Sequence, residues 1–93
     1  MTPNQLRNYL LKFVPQLGAE EGVRYGDAEV DANAVLVCWM ATVEAIQKAI
    51  QGGCNLMIVH EELFFPYEHQ RPADFLCWEV NRKRIELLAK HNM

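Results

Sequence analysis

The sequence has no apolar run approaching the length that crosses a membrane. Its opening residues, Met1-Thr2-Pro3-Asn4-Gln5, lack the basic stretch and apolar core of a secretory leader. Cysteine is scarce and unpatterned: Cys38, Cys54 and Cys77 are odd in number, far apart and form no CxxC. A disulfide framework is therefore not expected, and reduced, buried thiols in a reducing compartment are. These absences together set the expectation of a cytoplasmic protein. No glycine loop can cradle a phosphate, because Gly52-Gly53 ends a helix instead of opening one. There is no serine nucleophile elbow. The HExxH pattern is missing too, since Phe64 stands where its second histidine would be. Net charge is -3 with histidine neutral, which gives no electrostatic reason to expect nucleic acid or an anionic membrane. Repeats and low-complexity segments are absent.

What remains is a chain of 93 residues, 51% hydrophobic and 23% charged. It reads as a single domain or domain fragment, 1–93, able to bury one core with a thin margin. Thr2 can cap a first helix, with Pro3 at its first position and Gln5 completing a capping box. Leu6, Tyr9, Leu10, Phe13 and Val14 form one apolar stripe on that helix, and Pro15 closes it. Residues Gln16 to Asn33 read as a loop, with room for a short strand at Val23 to Tyr25. The continuous apolar run Ala34 to Met40 suits a strand covered on both faces, as in a parallel sheet.

Thr42 caps a second helix whose inner face is Val43, Ile46, Ala49 and Ile50. Gly52-Gly53 ends it, and Leu56-Met57-Ile58-Val59-His60 forms a second strand. Strand, helix, strand is a βαβ unit, so the expected fold class is α/β: parallel core strands flanked by helices. A loop rich in aromatics and carboxylates follows, to Pro72. Asp74 is the expected cap of a third helix with Trp78, Ile85, Leu88 and Ala89 inward and Arg82, Lys83, Arg84 and Lys90 outward.

In open parallel sheets, ligands gather at the carboxyl ends of strands. His60 occupies that end of the second strand and Glu61 and Glu62 follow it; Met40, Ala41 and Thr42 close the first. One imidazole and two carboxylates there can form half of a site for a divalent metal such as zinc, iron or manganese. A lone histidine at a strand end is more often a hydrogen-bonded structural residue, and adjacent glutamates are more often solvated. His69 reads as a polar loop residue. His91 lies at a helix C-terminus, where an imidazolium is favourable anyway. Phe64, Phe65 and Tyr67 either line a pocket or cover the sheet or a subunit interface.

The chain resembles the NGG-one-interacting-factor-three-like family, also described as GTP cyclohydrolase I type-two homologues with a dinuclear metal centre. The resemblance runs through Leu6 to Pro15, Val23-Arg24-Tyr25-Gly26-Asp27 and Val35 to Thr42. It continues through Glu44 to His60 and the helix Asn81 to Asn92. Its most specific piece is the strand end His60-Glu61-Glu62-Leu63-Phe64. It covers nearly the whole chain but only the amino-terminal portion of the larger family fold. By this resemblance His60 is a metal ligand, and Glu61 stands where many members have a second histidine. Met40 replaces the family's usual aspartate, and the Trp-Asp-Asn stretch expected near Glu20 to Gly22 is absent.

The resemblance implies a divalent metal ion as cofactor and metal-assisted hydrolysis of a small, nucleotide-like molecule. His60 and Glu61 would be metal ligands. Glu61 would alternatively be the catalytic general base, with Glu62 supporting from behind. It also implies a homo-oligomer for the full-length protein. The alternative is a non-catalytic interaction or scaffold protein that keeps the family fold, in which His60 and the aromatic loop stabilise a subunit contact.

Overall fold

A computed structural model describes residues 1–16, 18 and 21–93. The reading of Leu17, Ala19 and Glu20 as loop, and of Glu20 as the start of a missing motif, lies outside the described residues. Helix α1 spans Pro3–Leu10, strand β1 Val35–Cys38, helix α2 Val43–Gln51, strand β2 Leu56–Val59 and helix α3 Glu79–Lys90. The strands pair in parallel with Val35 opposite Leu56 and Cys38 opposite Val59. Since α2 connects them, the βαβ unit is present.

Two helix starts follow from their caps. The Thr2 hydroxyl accepts from the Gln5 amide, and the Gln5 side chain accepts from the Thr2 amide in return. At α2 the Thr42 hydroxyl accepts from the Ala45 amide at 3.0 Å. Gly53, at φ +72°, makes the left-handed turn out of α2, a conformation costly for residues carrying a Cβ.

The core sits between α2, α3 and the carboxyl ends of the strands. Ile46 and Ala49 are fully buried on α2, and Ile46 clusters with Ala41, Leu63 and Leu88. Helices α2 and α3 pack on each other.

Several expectations are corrected. The first helix stops at Leu10 and continues only as turns, and it buries none of its stripe: Tyr9, Leu10, Phe13 and Val14 are exposed. No strand forms at Val23 to Tyr25. Strand β1 alternates between half-buried and exposed residues, with Val37 72% exposed, so one face lacks cover. Asp74 opens a short 3-10 turn, Phe75–Cys77, and α3 begins only at Glu79. The backbone of Trp78 caps α3, so its ring lies at the helix entrance, partly exposed against Phe65. Ala89 is exposed, and Arg84, expected on the outer face, is buried. The three cysteines are free, but Cys38 and Cys54 are only half-buried and Cys77 is exposed.

Candidate metal half-site at the strand ends

The parallel ladder ends where Trp39 meets His60. The Trp39 carbonyl accepts from the His60 amide at 3.1 Å and from the Glu61 amide at 2.8 Å. This shared acceptor turns the chain sharply off β2. The indole of Trp39 stacks on the His60 imidazole, with ring centroids 3.8 Å apart and planes 13° from parallel. The His60 side chain stays 63% exposed, so stacking fixes the ring without sealing it from solvent. His60 does not turn into the apolar interior.

Glu61 continues the constellation. Its Oε1 lies 3.5 Å from His60 Nδ1, and its Oε2 accepts from the Tyr67 hydroxyl at 3.2 Å. Tyr67 in turn lies parallel to His69, with centroids 6.3 Å apart. Accepting the hydroxyl proton favours the neutral phenol, and the charge of Glu61 acts the same way. The Tyr67 phenol is thus held above its ordinary 10.0, with burial and the charge of Glu62 adding smaller contributions.

Glu62 turns elsewhere. Its Oε2 accepts from Arg71 Nη2 at 2.8 Å and from the Glu68 amide at 3.0 Å. It braces the loop instead of joining His60.

The loop beyond the strand is held by its own Arg71 and by two side chains of α3. Four successive carbonyls accept from them: Leu63 from Arg84, Phe64 from Arg71, Phe65 from Asn81 and Pro66 from Arg71. Asn81, with no exposed surface, also accepts from the Phe65 amide at 2.8 Å and donates to the Phe75 carbonyl at 2.7 Å. Backbone groups that no sheet pairs are satisfied this way, as burial requires. The guanidinium of Arg84, buried under the loop, donates through Nη1 to the Leu63 carbonyl at 2.7 Å and turns Nη2 to the sulfur of Met40, Sδ at 3.8 Å. Among the described residues its Nε has no hydrogen-bond partner, and burial lowers the pKa of the group.

His60, Glu61, Glu62, Tyr67 and Glu68 also border a groove of about 700 Å³ that runs along β2. The structure places the side chains of His60 and Glu61, the two residues singled out in the sequence, next to each other. It missed Trp39 as the stacking partner, Tyr67 as the carboxylate's donor and Asn81 as the anchor. An aromatic one residue beyond a strand that neighbours a strand-end histidine was the available signal for Trp39.

The donor set can be tested against a cation by distance. Two ligand atoms on one tetrahedral ion with bonds of about 2.1 Å lie roughly 3.4 Å apart. The 3.5 Å between His60 Nδ1 and Glu61 Oε1 matches that span. Among the described residues, however, no three His, Cys, Asp or Glu side chains come together as a metal group. The residues fit half of a metal site.

Fold and constellation define an α/β protein with an imidazole–carboxylate pair at the carboxyl end of a parallel strand. The family model described as Duf34/NIF3 (NGG1p interacting factor 3) matches residues 1–93, and the chain belongs to that family. A curated protein of Chlamydia pneumoniae, named GTP cyclohydrolase 1 type 2 homolog, is 28% identical over 72 residues, covering 77% of this chain and 27% of that protein. A protein of the same name from Clostridium acetobutylicum (strain ATCC 824) is 26% identical over 70 residues, covering 75% of this chain and 25% of its own. The chain therefore spans about a quarter of the length of these relatives. No solved structure matches. Among the described residues, no helix is long and apolar enough to cross a membrane.

Proposed function

We propose that this chain supplies half of a divalent metal centre in a metal-dependent hydrolase acting on a small molecule. The observation that carries the reading is the His60–Glu61 pair: two donor atoms at ligand spacing, on a ring clamped by Trp39, beside an open groove. His60 and Glu61 would hold the ion, and the remaining ligands would come from outside these residues. A bound divalent ion would supply Lewis acidity and an acidified water. Trp39 fixes the plane of the imidazole. Tyr67 donates to the far oxygen of Glu61 and so orients the near one. Arg71 keeps Glu62 away from His60. If Glu61 serves instead as general base, the same Tyr67 bond holds it in place. The name of the relatives, GTP cyclohydrolase 1 type 2 homolog, supports hydrolytic chemistry on a nucleotide-like substrate, and a cytoplasmic, homo-oligomeric protein is part of this proposal.

Metal content of the full natural polypeptide, purified without chelator, tests the reading. His60→Ala should lose metal, and Glu61→Gln should lose part of it. Equal content in wild type and His60→Ala would sink it. A scaffold role has its own supporting observation, the uncovered apolar face of Val35, Val37 and Trp39. Unchanged metal content together with altered oligomer size in Val37→Asp would favour that role.

A further inference from the structure

Arg84 is a buried cation with more donors than acceptors around it. A guanidinium carries several N–H donors and accepts nothing. Arg84 is only 7% exposed, so water has little access to it. Its Nη1 donates to the Leu63 carbonyl at 2.7 Å. Among the described residues, Nε has no partner and Nη2 has only the thioether of Met40, with Sδ at 3.8 Å. A thioether is a weak acceptor, so the buried charge is poorly answered on this side.

Met40 follows β1 and remains 37% exposed, so the residue that offers its sulfur to Arg84 is also open to small solutes. Peroxides oxidise a methionine at sulfur, and the sulfoxide carries a polar oxygen where the thioether had none. The observed separation suits that oxygen. An oxygen about 1.5 Å from sulfur, accepting from nitrogen at about 2.8 Å with a bend of roughly 120°, sets sulfur and nitrogen about 3.8 Å apart. That is the distance from Met40 Sδ to Arg84 Nη2. Met57 and Met93 instead pack against the apolar core cluster, where a sulfoxide disrupts packing.

We propose that Met40 is a site of oxidation by hydrogen peroxide and that Arg84 holds the sulfoxide formed there. The sulfur lone pair attacks one peroxide oxygen, so that an S–O bond forms as the O–O bond breaks. Sulfur loses a pair of electrons and the peroxide is reduced. The transferred hydroxyl gives up its proton, and the departing hydroxide takes one and leaves as water. Oxidation ordinarily destabilises a packed methionine. At Met40 the sign reverses, because the new oxygen answers a cation that is already desolvated. The inference uses none of the metal donor atoms and stands apart from the metal reading.

Hydrogen peroxide treatment of the full natural polypeptide tests it, with peptide mass mapping of each methionine. Met40 should gain one oxygen under conditions that convert the exposed Met1, and before Met57 and Met93. In urea, the unfolding constant of the oxidised protein should be about tenfold smaller than that of the reduced one, as expected for a hydrogen bond to a charged group. Met40→Leu keeps the same cysteines and the other methionines, and oxidant should not stabilise it. The Arg84 Nη proton resonances should move downfield in the oxidised wild type. The inference is overturned if Met40 stays unmodified while Met1 is converted, or if oxidation leaves the wild type no more stable. It is equally overturned if Met40→Leu gains as much, or if the Arg84 resonances do not move.

Discussion

Trp39 and His60 are joined twice: the tryptophan carbonyl accepts the histidine amide, and its indole covers the imidazole at 3.8 Å. Backbone and side chain of one strand end thus determine both the position and the plane of the ring at the other. Removing the indole in Trp39→Ala leaves the backbone bond but frees the ring. The expected cost in stability is small, about 0.5–1.5 kcal/mol, the usual worth of an aromatic pair. Cation binding by the full polypeptide should weaken several-fold, with Trp39→Phe intermediate. Calorimetric titration with zinc or manganese measures this. Unaltered affinity in Trp39→Ala would show that the stack does not organise the site.

The Tyr67–Glu61 bond has a pH signature. The folded-state pKa of the phenol lies above its ordinary 10.0, chiefly because Glu61 accepts its proton. Stability from this bond is therefore fully present below 10.0 and is lost as pH rises through the higher folded value. Phenolate absorbance, taken as the difference between wild type and Tyr67→Phe, reports Tyr67 alone. In Glu61→Gln the Tyr67 transition should move down toward the ordinary value. No movement would mean that the two side chains do not meet in solution.

Asn81, itself without exposed surface, satisfies three backbone groups, two of Phe65 and one of Phe75. Asn81→Ala strands all three, at about 1–3 kcal/mol for a buried unsatisfied group, partly relieved by relaxation. Urea unfolding should show a loss of about 3 kcal/mol or more. A loss under about 1 kcal/mol would mean that the loop does not depend on this anchor.

Arg84 invites the opposite experiment. Its buried cation faces the thioether of Met40 at 3.8 Å and, among the described residues, forms no ion pair with a carboxylate. Met40→Glu places an acid of similar length there. We expect a gain of about 1–2 kcal/mol at neutral pH, of the order seen for hydrogen bonds to charged groups. The new carboxylate would titrate in the folded state below its unfolded value of about 4.3. The gain is thus present above that value and disappears as pH falls through the folded pKa. Destabilisation at neutral pH would contradict this arrangement.

Burial separates two aliphatic positions that look alike in sequence. Ile46 has no exposed surface, and Ile46→Ala should cost about 2–4 kcal/mol. Val37 is 72% exposed, and Val37→Ala in the 93-residue chain should stay within about 0.5 kcal/mol. Chemical denaturation compares them directly. A large loss at Val37 would indicate that another surface covers β1 in solution.

Local signals were legible wherever one residue's chemistry decides. The caps Thr2 and Thr42, the turn at Gly53 and the two aliphatic strands could all be read directly, because each depends on neighbours within a few residues. Asp74 failed as a cap because the 3-10 turn at Phe75–Cys77 intervenes, and the backbone of Trp78 takes over. Arg84 looked like a solvated cation among Arg82 and Lys83, yet Leu63, twenty-one residues earlier, draws it inward.

Apolar runs and stripes, capping and glycine placement by themselves determined the order of elements and delivered His60 and Glu61 to the end of a parallel strand, since these properties are local. Tertiary structure alone decided which partners meet there. Trp39 covers the imidazole, Tyr67 holds Glu61, and Glu62 is drawn off to Arg71. Those choices depend on strand register and on where a loop, braced by α3, crosses the sheet. Both are set by packing between segments distant in the chain, for which no single stretch of sequence carries a signal.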